Sequence, residues 1–140
     1  MPIQETAPPV APPPPLGLMI VDDEALARSR LKELLGDLAE ICPTQVQGEA
    51  ENGLVALEWL QNQPETHRPD ILLADIHMPR MDGLELAVHL GQLPHAPAVI
   101  FTTAYDNHAV QAFDLNAVDY LLKPVRVHRL HAALEKARQR

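Results

Sequence analysis

A few polar residues stand at the ends of short apolar runs: Asp22 and Asp23 after Leu18-Met19-Ile20-Val21, Asp75 after Ile71-Leu72-Leu73-Ala74, Thr102-Thr103 after Val99-Ile100-Phe101, and Lys123 after Tyr120-Leu121-Leu122. Two carboxylates ~4 Å apart repel by about 4 kcal/mol at an effective dielectric of about 20, so a cluster of them calls for a cation. Hard oxygen donors with open positions suit Mg²⁺, which keeps several waters and bridges carboxylates to phosphate oxygens. An ammonium beside such a cluster helps an anion to bind, and Thr103 adds a hydroxyl. Metal, lysine and hydroxyl together are what a phosphoryl group needs around its equatorial oxygens, and a carboxylate in line with it is a nucleophile. Taken singly, an Asp after a strand reads as a helix cap and Lys-Pro as a turn; taken jointly these residues point to phosphoryl chemistry.

For that chemistry the polar ends must meet. Apolar runs this short, bounded by helical patterns, read as strands buried on both faces, and open α/β sheets build sites at the carboxyl ends of their strands. After the Asp pair a helix carries Ala27, Leu31, Leu34, Leu35 and Leu38 on one stripe, with Gly36 near its end. A second strand covers about Val46 to Ala50, and Glu51-Asn52-Gly53 turns into a helix with Leu54, Leu57 and Leu60 inward, ended by Gln63-Pro64. The third strand, Ile71 to Ala74, reaches Asp75 and the loop Met78-Pro79-Arg80-Met81-Asp82-Gly83, then a helix expected to turn Leu84, Ala87 and Val88 inward. The fourth strand, Ala98 to Phe101, leads to a helix with Ala109, Ala112 and Phe113 on one face. The fifth, Asp119 to Leu122, precedes Lys123-Pro124 and a last helix with Val127, Leu130, Leu134 and Ala137 inward. Five βα units joined by right-handed crossovers make an α/β, doubly wound, five-stranded parallel sheet with five helices. If its order is the flavodoxin-like 2-1-3-4-5, Asp22, Asp23 and Asp75 flank the switch point of the sheet.

Length and composition narrow the classes. At 140 residues the chain suffices for one domain with a proper core. Its formal net charge of -8 argues against nucleic-acid contact by this segment, since phosphate binding needs a clustered positive surface. The single cysteine, Cys42, excludes an internal disulfide and reads as a structural thiol. Zinc is a poor fit: His128 and His131 share a helix face without a cysteine partner and read as solvated. With no run of the ~18 apolar residues that span a bilayer and no signal-peptide layout, the expected location is cytoplasmic, away from membranes. Residues 1–16 hold seven of the fourteen prolines and no periodic apolar face, which predicts an extended or disordered leader ahead of a domain over 17–140.

From about Leu18 to Arg140 the chain resembles the receiver domain of two-component response regulators. The resemblance rests on Ile20-Val21-Asp22-Asp23-Glu24, on Asp75-Ile76-His77-Met78-Pro79-Arg80-Met81-Asp82-Gly83, on Thr103-Ala104-Tyr105 and on Lys123-Pro124, in this order and spacing. Phe101-Thr102-Thr103-Ala104-Tyr105, with Ala112-Phe113 and the segment Ala117 to Pro124, is further similar to the LytR/AlgR-type (LytTR) subclass. The resemblance implies that Asp75 accepts a phosphoryl group from a phosphohistidine of a sensor histidine kinase. It implies that Asp23, Asp75 and the His77 backbone carbonyl hold Mg²⁺, with Asp22 acting mainly through a bound water. Lys123 would contact the phosphoryl oxygen, Thr103 would close on it and Tyr120 would turn inward as an aromatic switch. The Lys123-Pro124 bond is expected to be cis. Activation would be a population shift that remodels the face around the fourth helix and fifth strand, with a homodimer on phosphorylation left open.

His77 and Tyr105 stand two positions after the acceptor and the switch threonine, where this family tunes loss of the phosphoryl group. Val125 follows Lys123-Pro124 where many relatives carry Phe, a change expected to affect packing. Members of the subclass usually add a DNA-binding domain that controls transcription; none lies within this sequence, which fits either an excised receiver or a stand-alone one acting through protein contact. Five of the eleven basic residues fall in 126–140, the start of a linker or a helix end favoured by its dipole. A reading from another class, an aspartyl-phosphate phosphohydrolase, would want its nucleophile on the first strand with a second Asp two residues later, which Asp22-Asp23-Glu24 lacks. A flavin module would want a Ser/Thr/Gly-rich loop there, and Glu24-Ala25-Leu26-Ala27 is not one. The expectation is a switch that modifies itself and turns over no outside substrate.

Overall fold

A computed structural model describes residues 14–105 and 117–140. The helix expected around Ala109, Ala112 and Phe113 lies outside the described residues, as do residues 1–13. Five parallel strands, β1 (Leu16–Val21), β2 (Thr44–Ala50), β3 (Ile71–Asp75), β4 (Ala98–Thr103) and β5 (Asp119–Leu122), form one sheet in the order β2-β1-β3-β4-β5. Among the described residues there are four α-helices, α1 (Ala25–Asp37), α2 (Gly53–Gln61), α3 (Gly83–Leu90) and α4 (Val127–Arg138), with a 3₁₀ turn at Glu65–His67.

The period of two along a strand divides the core into two layers. Leu18, Ile20, Ile71, Leu73, Ile100 and Leu121 face one way and pack with Leu31, Leu34, Leu35 and Leu38 below α1 and with Leu130, Ala133 and Leu134 of α4. Met19, Val21, Leu72, Ala74 and Phe101 face the other way, against Ala56, Leu57 and Leu60 of α2 and Leu86, Ala87 and Leu90 of α3. Helices on both faces explain why β1 and β3 are buried at every position, while the edge strand β2 alternates between half-buried and exposed.

Four expectations shift. β1 begins at Leu16, which lies in the core, so the expected leader overlaps the sheet by one residue. β2 starts earlier than expected, at Thr44, and a bulge between Leu18 and Met19 leaves Gln47 out of register. In α3 the inward stripe is Leu86, Ala87 and Leu90; Leu84 is half-buried and Val88 is 50% exposed. The α3 stretch offers two apolar stripes, and its start decides between them. The Gly83 N–H donates to the Ile76 carbonyl at 2.9 Å and the Asp82 side chain caps the Glu85 N–H at 2.8 Å, which fixes the rotation of the helix. In α4, Val127 is likewise more exposed than expected, at 37%, and Ala133 takes its share of the core. Val125 is buried in the α1/α4 layer, and Cys42 is buried beside the Arg138 guanidinium, which lies 3.8 Å from its Sγ. Burial pushes the Cys42 thiol up, away from the thiolate.

Candidate functional site: an acidic cluster with one lysine

The carboxyl ends of β1, β3 and β5 bring the sequence-predicted charges together. β1 and β3 are direct neighbours, with Val21 level with Ala74, so Asp22 and Asp75 extend side by side beyond the pairing. Alternation turns both side chains toward the α1/α4 face. One carboxylate oxygen each from Asp22, Asp23 and Asp75 lies within 4.8 Å of the others. Asp22 is fully buried, Asp75 is 5% exposed and Asp23 faces solvent.

Lys123 enters from the end of β5. Its Nζ lies 2.8 Å from Asp22 Oδ2 and 3.3 Å from Asp75 Oδ2. Its backbone N–H donates to the Thr103 carbonyl at 2.7 Å, and the Lys123-Pro124 bond is cis, as expected. Three carboxylates against this one ammonium leave the cluster with excess negative charge. The donor set is therefore hard, oxygen-rich and under-neutralised, which fits Mg²⁺ on the chemistry of the residues present.

The local charges are held by the backbone as well. Asp22 Oδ1 accepts the Glu24 N–H at 2.9 Å, and the Asp22 N–H donates to Ala50 of β2 at 3.0 Å. The His77 N–H makes a long contact of 3.4 Å to Asp75 Oδ1. Burial pushes the Asp75 carboxyl above the usual range, with the Asp22 charge adding to the rise, while Lys123 and the His77 N–H oppose it. Burial also pulls Lys123 down, but its hydrogen bond to Asp22 and the charges of Asp75 and Asp22 outweigh that, so its ammonium is held above the ordinary lysine value.

Thr103 is buried and its hydroxyl accepts the Tyr105 N–H at 3.2 Å. The Tyr120 hydroxyl donates to the Tyr105 carbonyl, joining β5 to the segment after β4. The Tyr105 ring, 59% exposed, meets the His77 ring edge-on with centroids 5.0 Å apart. The two positions expected to tune phosphoryl loss are thus in contact. His128 is exposed, and His131 lies 3.7 Å from Glu135 of its own helix.

Two participants were not legible in the sequence. Arg28 donates to the Asp22 carbonyl at 2.7 Å and pairs with Glu49 of β2 at 3.2 Å, so α1 braces the turn that carries Asp22 and Asp23. Lys32 adds a second contact to Glu49, at 3.0 Å. Nothing in the local pattern connects Arg28 with Glu49, because only the β2-β1 pairing brings them together. The loop Met78 to Gly83 is also tied to α2, through the Gly53 N–H to the Met81 carbonyl at 2.9 Å.

Comparison with known proteins gives the same answer as the geometry. Residues 18–135 match the family model described as the response regulator receiver domain. Among curated relatives, the positive alginate biosynthesis regulatory protein of Pseudomonas aeruginosa is 45% identical over 122 residues, 87% of this chain and 47% of that protein. The transcriptional regulatory protein BtsR of Salmonella typhi is 41% identical over 87% of this chain and 48% of its own length. The crystal structure of the response regulatory domain of protein mrkE from Klebsiella pneumoniae superposes with a TM-score of 0.77 at 35% identity, covering 89% of this chain and 96% of that one. The alginate regulator among these relatives agrees with the narrower LytR/AlgR-type resemblance. The chain spans about half the length of the curated relatives it matches. With its fold, its strand-end cluster and these likenesses in agreement, the chain belongs to the response regulator receiver domain family.

Proposed function

We propose that Asp75 is a phosphoacceptor, charged from the phosphohistidine of a sensor histidine kinase, and that the resulting aspartyl phosphate sets the conformation of the switch segment. The observation that carries this reading is the placement of Lys123 Nζ within reach of both Asp22 and Asp75 at the mouth of an acidic cluster. In the transfer, an Asp75 carboxylate oxygen forms a bond to phosphorus, the phosphorus–nitrogen bond breaks, and the leaving imidazole keeps the electron pair and takes a proton from solvent. Asp23, Asp75 and the His77 carbonyl are the proposed Mg²⁺ ligands, with Asp22 acting through a bound water. The ion supplies charge neutralisation for the incoming phosphoryl oxygens.

The protein's own groups do the rest. Lys123, held as an ammonium, is placed to exchange its contact with the Asp75 carboxylate for one with a phosphoryl oxygen on the same residue. Thr103 gives up the Tyr105 N–H and donates its hydroxyl to the new anion. That change pulls on the Tyr105 backbone, whose carbonyl holds the Tyr120 hydroxyl, so charge at Asp75 is read out at β5. The His77 and Tyr105 rings, in edge-on contact, cover the approach to the acceptor and slow attack by water.

The receiver is thus proposed to be a cytoplasmic, self-modifying switch whose output is transcription, through a further domain as in relatives named as regulators, or contact with a partner protein. Among the described residues no helix is long and apolar enough to cross a membrane. The test is uptake of label from a small phosphodonor with and without Mg²⁺, followed by neutral hydroxylamine. An acyl phosphate is released by that treatment, needs the ion, and falls at least about tenfold in Lys123→Ala, the worth of one charge-assisted contact. Hydroxylamine-stable label would place the phosphoryl group elsewhere.

A further inference from the structure

Asp23 is held less directly than its neighbours in the acidic cluster. It faces solvent, and among the described residues its carboxylate has no hydrogen bond or ion pair, whereas Asp22 and Asp75 both lie against Lys123. The direction of its Cα–Cβ bond therefore depends on the backbone, and first on the planar peptide that joins Asp22 to Asp23. The carbonyl of that peptide accepts Arg28 Nη1 at 2.7 Å. Other groups of the turn are tied elsewhere: the Asp22 N–H donates to the Ala50 carbonyl and the Glu24 N–H to Asp22 Oδ1. Among the described residues, Arg28 is thus the side chain that holds the peptide plane from which Asp23 departs.

The Arg28 guanidinium is no simple counter-charge to the cluster. Its Nε lies 3.2 Å from Glu49 Oε1, and Lys32 Nζ holds the other oxygen of Glu49 at 3.0 Å. Glu49 stands level with Ile20 in the β1–β2 pairing, so this anchor belongs to the edge strand and not to the carboxylates at the strand ends. A forked guanidinium can serve a carboxylate and a carbonyl together. We propose that Arg28 is a positioning residue for Mg²⁺ binding: it fixes the Asp22–Asp23 peptide and so sets the direction of the Asp23 carboxylate, while Glu49, gripped by Lys32, keeps the guanidinium out of the acidic cluster. The inference rests on the Mg²⁺ ligands named in the phosphoacceptor reading. Position and charge give opposite signs. A fixed cation beside an acidic cluster repels Mg²⁺, so by charge alone its removal tightens metal binding. As a brace, its removal weakens it.

The test is titration calorimetry of Mg²⁺ into the unphosphorylated chain, with phosphoryl uptake from a small phosphodonor measured at rising Mg²⁺. Arg28→Ala should raise the Mg²⁺ Kd about tenfold, the worth of one charge-assisted hydrogen bond. Its uptake at saturating Mg²⁺ should return to within about threefold of wild type, because Asp75 and Lys123 are unchanged. Lys32→Ala removes an equal charge from the same helix and the same carboxylate without touching the Asp22 carbonyl, and should leave the Kd within about twofold. Arg28→Met keeps the aliphatic stem and serves if the alanine variant does not fold. A Kd equal to or below that of wild type in an Arg28 variant, an equal rise in Lys32→Ala, or a loss of uptake that saturating Mg²⁺ does not restore overturns the proposal. Metal binding ordered as described in a chain that takes up no phosphoryl group refutes the phosphoacceptor reading and leaves the role of Arg28 standing. A wild type that binds no Mg²⁺ overturns both.

Discussion

Asp75 is a carboxylate that the fold makes uncomfortable: burial, and the charge of Asp22, raise its proton affinity against the pull of Lys123. A carboxyl whose folded value is raised contributes stability below its unfolded value and loses it as pH rises through the folded value. In chelator, wild type should therefore lose stability from acid toward neutral pH at this residue. Asp75→Asn should gain stability over wild type at pH 7, with the difference vanishing near pH 3, as denaturant unfolding at the two pH values would measure. Adding Mg²⁺ should stabilise wild type, since a ligand of the folded state adds stability by mass action. At the rim, Tyr105 meets His77 and is expected to shield an acyl phosphate from water. Tyr105→Ala should lose its phosphoryl group several-fold faster in a decay assay, the rate change that about 1 kcal/mol of lost shielding gives. An unchanged decay rate would remove Tyr105 from the account.

The elements carry this site through a few close backbone contacts, and the loop from Met78 to Gly83 shows two opposite ones. A Cβ on Gly83 would stand 2.3 Å from the Asp75 carbonyl oxygen, so the helix start and the acceptor strand fit only without a side chain. Gly83→Ala should cost about 1–3 kcal/mol in denaturant unfolding and lower phosphoryl uptake, because the clash displaces the acceptor's own backbone. Three residues earlier Arg80 has φ 71°, a left-handed conformation that favours glycine. Arg80→Gly should stabilise by roughly 0.5–1 kcal/mol with uptake unchanged. The loop's proline and glycine were readable as a turn, but its strain and its contact were not, since both depend on where Asp75 lies in the folded chain. The same holds for α3: both Leu84/Ala87/Val88 and Leu86/Ala87/Leu90 make a helical stripe in the sequence. The Gly83 and Asp82 hydrogen bonds chose the second.

At the scale of the molecule, the sheet was legible because its central strands are buried on both faces and so leave continuous apolar runs, each ended by a polar residue. The strand-end rule collects Asp22, Asp23, Asp75 and Lys123 from the sequence alone. What it could not collect were partners on other elements: Arg28 with Glu49, and the orphaned Thr102, which looked like half of a Thr pair until alternation turned it away from Thr103. Asp119 is a third case, buried at the start of β5 with Arg129 at 3.3 Å and Lys136 at 3.2 Å, both from α4. These are contacts of the closed fold, with sequence separations that no local period can encode. The central claim concerns one oxygen on one residue, and intact mass measurement after incubation with a small phosphodonor and Mg²⁺ addresses it directly. Wild type should gain the mass of one phosphoryl group and Asp75→Asn should gain none; equal gain by the two chains would contradict the assignment.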